Sequence, residues 1–152
     1  MTRVDFYVLP VSEPHGRLSF ACRLAEKAWL GGHHVYLHSE DDTAACSLDE
    51  LLWSFRDTSF VPHALRATGD GGAPAVPVLI GCGDDPGDHH DVLINLGAAV
   101  PEFFGRFERV AEIVLNDPES RQASRVRWSF YKDRGYALEH HDMQHMRSAG
   151  ER

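Results

Sequence analysis

Hydrophobic side chains alternate with other residues at the start of the chain. In RVDFYVL, residues 3–9, Val4, Phe6 and Val8 share one side of an extended backbone, which predicts a strand. After a loop over Pro10–Gly16 the period changes. Leu18, Ala21, Cys22, Ala25, Ala28 and Trp29 recur at helical spacing, predicting a helix from Arg17 to Leu30 that Gly31 and Gly32 stop. HHVYLH, 33–38, reads as a second strand, followed by the acidic turn SEDD. Thr43–Cys46 forms at most a short helical turn. Ser47, with Glu50 three residues on, has the form of a capping box that starts a new helix, with Leu48, Leu51, Leu52 and Phe55 on one face.

Farther on, FVP at 60–62 is a short extended piece, and APAVPVLIG, 73–81, is a strand whose two prolines suit a sheet edge or a strand end. DDPGDHHD, 84–91, reads as a solvated loop and VLINL, 92–96, as a buried strand. Glu102–Phe107 looks helical through Phe103, Phe104 and Phe107. RVAEIVL, 109–115, has the β-branched content of a last strand, a continued helix being the alternative. Asn116-Asp117-Pro118 opens a helix with proline in its first turn, running to Arg134 before Gly135 ends it. Strands alternating with helices imply a single α/β domain over 1–138, a mostly parallel sheet flanked by helices in Rossmann-like layers. Residues 139–152 read as a polar, His-rich, flexible tail.

Composition narrows the function. The 152 residues suit one domain, and 43% hydrophobic with 25% charged content is ordinary for a globular chain. No apolar run approaches the roughly 18 residues of a membrane span. The opening MTRVDFYVLP lacks the charged-then-apolar shape of a signal peptide, so a cytoplasmic location is expected. Cys22, Cys46 and Cys82 are widely spaced, without a CxxC pair, and read as reduced, small buried side chains. The net charge of −8 argues against broad nucleic-acid binding.

Enzyme chemistry finds little support. A nucleotide site needs GxxxxGK[ST] or GxGxxG, and the first strand-to-helix connection, VSEPHGR, holds one glycine. GCGDD contains GxG, but its aspartates would repel a phosphate. His141 and His145 stand at i, i+4, which brings two imidazoles together only if that tail is helical, and no third ligand follows. Neither a G-x-S-x-G elbow nor a Cys-His signature is present. No metal or cofactor is expected. The alternative that stays open is a nucleotide-binding α/β enzyme without a recognisable phosphate loop.

The distribution of charge is more informative. Arg121–Arg134 holds five basic residues and one acid, Asp133, leaving ten basic against twenty-two acidic elsewhere. At about 100° per residue, Arg121, Arg125, Trp128 and Lys132 fall within an arc of about 60°, flanked by Tyr131. Ala123, Val126 and Phe130 occupy the opposite arc, the face expected to pack on the sheet. A solvated helix face is the plain explanation, yet such faces mix charge signs and rarely expose tryptophan. Forked arginine donors beside an indole suit a ligand that is both acidic and hydrophobic. An acidic peptide tail fits, and the overall charge favours it over nucleic acid. A second exposed aromatic candidate lies in LDELLWSFRDTSFVPH, 48–63. Trp53 points about 140° away from Leu48 and Phe60 follows in the loop. Both either complete the core or anchor a partner protein.

LDELLW followed by SFVPH, the opening DFYVL and the closing basic-aromatic helix together resemble the chi subunit of the bacterial DNA polymerase III holoenzyme, over about 1–138. The resemblance implies a non-catalytic, single-domain α/β protein without a phosphate loop. It implies binding to the psi subunit, which links chi to the clamp loader, and to the acidic, Phe-ended C-terminal tail of single-stranded DNA-binding protein. It carries tail binding to Arg121, Arg125 and Trp128, and psi binding to Trp53 and Phe60. The matching family positions are usually basic, arginine and aromatic. Ser129 stands where some relatives have a further lysine, and whether Lys132 compensates for that charge is left open by the sequence. A repair helicase is left open as a further partner.

Overall fold

The computed structural model describes residues 2–54, 61–65, 76–82, 90–97 and 99–143. Phe55, Phe60, His145 and the tail from 144 lie outside the described residues. Among the described residues no helix is long and apolar enough to cross a membrane.

Among the described residues seven strands form one entirely parallel sheet. They are β1 (Arg3–Val8), β2 (Val35–His38), β3 (His63–Leu65), β4 (Val78–Gly81), β5 (Val92–Asn95), β6 (Arg109–Val114) and β7 (Ala137–Asp142), in the spatial order β3-β4-β2-β5-β6-β1-β7. Helices α1 (Pro14–Leu30) and α2 (Asp42–Ser54) cover one face. Helix α3 (Pro118–Asp133) and a 3₁₀ turn at Glu102–Arg106 cover the other. The expected single α/β domain is therefore present. Neighbouring strands β4, β2 and β5 carry the short continuous apolar runs that a sheet covered on both faces requires.

Strand alternation sorts the core into two halves. Leu9, Leu37, Ile80, Ile94, Ala111 and Ile113 pack under α1 and α2, and Val4, Phe6, Leu79, Leu93, Val110 and Val114 under α3. Gly81 permits this packing, because a Cβ there would lie 2.1 Å from the hydroxyl of buried Tyr36. The buried thiol of Cys22 is pushed up to about 12 by desolvation, as expected of an inert core cysteine. Cys46, by contrast, is exposed on α2, and Cys82 is half-buried with its thiol on Asp42.

Two local expectations change and one is narrowed. Ser47 starts no helix; α2 begins five residues earlier, where Asp41 Oδ1 accepts from the Ala44 amide at 2.8 Å, a competing cap just upstream. Of the two positions that suit proline, Pro77 takes the strand end and not the sheet edge. Pro77 sits immediately before β4, where its missing amide costs no ladder bond, and β3 pairs outside it. The greatest difference is β7. Residues 139–142 were expected in a flexible tail but pair in parallel with β1, Phe6 opposite His140 and Tyr7 opposite His141. Side-chain pairings across the sheet hold this polar edge strand. Arg3 reaches Glu139 at 3.0 Å and His141 reaches the buried Asp5 at 3.0 Å. Asp5 also accepts from Arg109 at 3.2 Å, so guanidinium groups already compensate its charge.

Candidate functional site

The basic stripe owes its position to how α3 starts and to what it buries. Asp117 caps the helix, accepting from the Ser120 amide at 2.7 Å and from its hydroxyl at 3.0 Å, with Pro118 next. The Ser120 amide bond, with a smaller contribution from Arg121, holds the Asp117 carboxyl below its ordinary range. At the other end Gly135 turns the chain out at φ +82°, a conformation that suits glycine.

The face packed on the sheet differs from the one hydrophobicity predicts. Val126 is 63% exposed and Ala123 is exposed, while Arg127 and Tyr131 are buried. Phe130 is half-buried against Phe104 at 5.7 Å, with the Arg134 guanidinium 3.7 Å above its ring. A charged group explains the rotation. Glu112, projecting from β6 toward α3 and fully buried, accepts from Arg127 Nε at 2.8 Å, Tyr131 Oη at 2.6 Å and Asn95 Nδ2 at 2.9 Å. Periodicity counts Arg127 as a surface residue, whereas pairing brings it inside. Burial raises the Glu112 carboxyl above its ordinary range, opposed chiefly by Arg127. Tyr131 thus does not flank a surface stripe. Its hydroxyl is committed to Glu112, and burial followed by that carboxylate pushes its phenol far above the ordinary range.

With α3 docked this way, its stripe lies on the shoulder of the helix beside the sheet. Trp128 is half-buried, its ring edge-on to Phe6 at 5.1 Å. Phe6, Val8, Val114 and Trp128 form the apolar part of a cleft of about 720 Å³, completed by Arg121, Ser124, Arg125, Ser129 and His140. Arg121 bonds the Asn116 side-chain oxygen and Arg125 reaches Gln122 at 3.4 Å. Among the described residues neither arginine forms a salt bridge, and both are exposed. Lys132 is exposed farther along and does not line the cleft. Of the stripe, then, Arg121, Arg125 and Trp128 come together. Phe6 and Val8 were legible as an apolar strand face, but Val114 and His140 carry no signal until β6, β1 and β7 are known to be neighbours.

Trp53 ends α2 at the other side of the sheet. It is 56% exposed, and its ring lies 4.7 Å from that of His63, whose side chain is buried. His63 in turn contacts the Val61 carbonyl at 2.6 Å and Asp49 at 3.3 Å, so the indole rests on a fixed base. Leu65 of edge strand β3 is 37% exposed. Phe60, expected beside Trp53, is outside the described residues.

A doubly wound sheet binds nucleotides where neighbouring strands send their connections in opposite directions. Here that crevice lies beyond β2 and β5, with a cleft of about 490 Å³ lined by His38, Gly97, Glu40 and Glu102. Its two carboxylates disfavour a phosphate.

Residues 1–139 match the family described as DNA polymerase III chi subunit, HolC. The DNA polymerase III subunit chi of Pseudomonas aeruginosa is 51% identical over 141 residues, covering 93% of this chain and 96% of that protein. The subunit of the same name from Escherichia coli K12 is 31% identical, covering 91% and 96%. That from Haemophilus influenzae is 29% identical, covering 88% and 92%. With a family match spanning nearly every described residue, the chain belongs to the DNA polymerase III chi subunit family.

Proposed function

We propose that this chain serves DNA replication as a non-catalytic bridge within the DNA polymerase III clamp-loader assembly. Its α3 cleft takes the acidic, Phe-ended C-terminal tail of single-stranded DNA-binding protein, and its Trp53 surface takes the psi subunit. Family membership supports the place in DNA polymerase III. The observation that carries tail capture is the composition of the cleft. An apolar floor of Phe6, Val8, Val114 and Trp128 lies beside two exposed guanidinium groups without salt bridges among the described residues. Carboxylates of the tail pair with Arg121 and Arg125, and the terminal phenyl ring enters the apolar floor.

Sheet order supports two independent sites. Trp53 stands over the β3 edge and the cleft borders β1 and β7 at the other. Five strand steps separate β3 from β1, about 24 Å at 4.8 Å per step. Two partners therefore have room to bind at once.

The test is anisotropy of a labelled acidic peptide with a free C-terminal phenylalanine, measured beside labelled ATP. Saturable peptide binding is expected, weakened by about 1.5–3 kcal/mol in Arg125→Ala, the range for hydrogen bonds to a charged group. Equal affinity in that variant, or binding of ATP instead of peptide, contradicts the proposal.

A further inference from the structure

We infer that His140 is a third tail contact, one that makes capture of the acidic tail tighten on acidification. This rests on the tail-binding reading of the cleft. His140 and His141 are adjacent in sequence, but strand alternation gives them different tasks. His141 turns toward the α1 face, bonded to Asp5 at 3.0 Å and stacked on Tyr7 at 4.8 Å. His140 turns toward α3, opposite Phe6 in the register, is exposed, and lines the cleft with Arg121, Arg125 and Trp128. Among the described residues it has no hydrogen-bond or ion-pair partner, so its ring nitrogens are available to a ligand.

The charges around His140 set the direction of the effect. From α3 it faces Arg121 and Arg125, from β1 the uncharged Phe6 and Val8, and along its own strand face Asp142. An arriving row of carboxylates shifts the balance toward imidazolium, so tail binding and proton uptake are coupled. An unperturbed histidine titrates near pH 6.5, whereas the carboxylates of the tail titrate near 4. Between about pH 7.5 and 5.5 the tail stays anionic, so a pH dependence in that window reports on imidazole and not on the tail. The expected gain in affinity at the lower pH is a few-fold, about threefold.

The experiment is calorimetric titration with the acidic Phe-ended peptide at pH 7.5 and 5.5, in buffers of different ionisation enthalpy, using wild type, His140→Gln, His141→Gln and Arg125→Ala. Expected are tighter binding at pH 5.5 with fractional proton uptake in wild type and His141→Gln, and neither effect in His140→Gln. A melting temperature near wild type in His140→Gln separates a lost contact from a lost fold. The inference is overturned if His140→Gln retains the pH dependence and the proton uptake, or if wild type shows neither. Failure of the underlying reading looks different: the peptide does not bind at either pH, or Arg125→Ala binds it as wild type does.

Discussion

Arg127→Ala should destabilise the fold in a strongly pH-dependent way, although arginine on a helix is ordinarily a tolerant site. The side chain pairs with Glu112, which is 0% exposed, through Nε at 2.8 Å. Without it the carboxylate keeps, among the described residues, only the neutral donors Tyr131 at 2.6 Å and Asn95 at 2.9 Å. Breaking a buried pair from one side costs about 3–5 kcal/mol. Protonation offers an escape whose cost is about 1.36 kcal/mol per pH unit above the unfolded carboxyl value near 4.3. The charge penalty is therefore limited to about 4 kcal/mol at pH 7.5 and to roughly 1.6 kcal/mol at pH 5.5. The sign follows from the raised carboxyl. An acid whose folded pKa exceeds its unfolded one carries no penalty below the unfolded value and loses stability as pH rises toward the folded value. Removing Arg127 raises that folded value further, so the gap between variant and wild type widens with pH. Urea denaturation at both pH values measures it. Arg127→Met retains much of the packing volume and should keep the pH dependence, while Tyr131→Phe should cost about 1.5–3 kcal/mol. A deficit under about 1 kcal/mol at pH 7.5, or one independent of pH in both Arg127 variants, would refute the account of how α3 is seated.

Two further outcomes follow from the exposure of the proposed contacts. Tail affinity should fall as salt is raised, because exposed guanidinium groups are screened over about 8 Å at 0.15 M, and should level off at a residual apolar contribution. Salt-independent anisotropy titrations would make the arginines bystanders. Trp53→Ala should lower psi affinity by about 2 kcal/mol or more while leaving tail affinity and melting temperature near wild type. Joint loss of both activities with a lower melting temperature would place Trp53 in the core instead.

Local signals in the sequence were strong where one residue type does one job. Asp117, Pro118 and Gly135 mark both ends of α3 without knowledge of the fold. The alternation of β1 and the apolar run of β5 likewise need only burial to explain them. What sequence missed depends on distant partners. Arg127 looks solvated until Glu112, fifteen residues away, is placed beneath it. That single pairing turns the helix, so Val126 faces solvent and Tyr131 the core. Similarly, β7 is a polar edge strand held by Arg3, Asp5 and Tyr7 from the other end of the chain, which no local pattern encodes. The arginines and the tryptophan were legible because they lie on one helix. The remaining walls of the cleft come from three strands that only the parallel topology brings together.

The chain carries three tryptophans, Trp29, Trp53 and Trp128, whose indole N–H groups report from α1, the β3 edge and the α3 cleft. Titrating isotopically labelled protein with the acidic Phe-ended peptide, and following those three signals by ¹H–¹⁵N correlation spectroscopy, tests the central claim most directly. Tail capture in the cleft predicts that the Trp128 indole and the amides of Phe6, Val8, Arg125 and His140 shift together and saturably, while the Trp29 and Trp53 indoles stay in place. Saturable shifts at Trp53 with Trp128 unmoved, or shifts at none of the three, would contradict it.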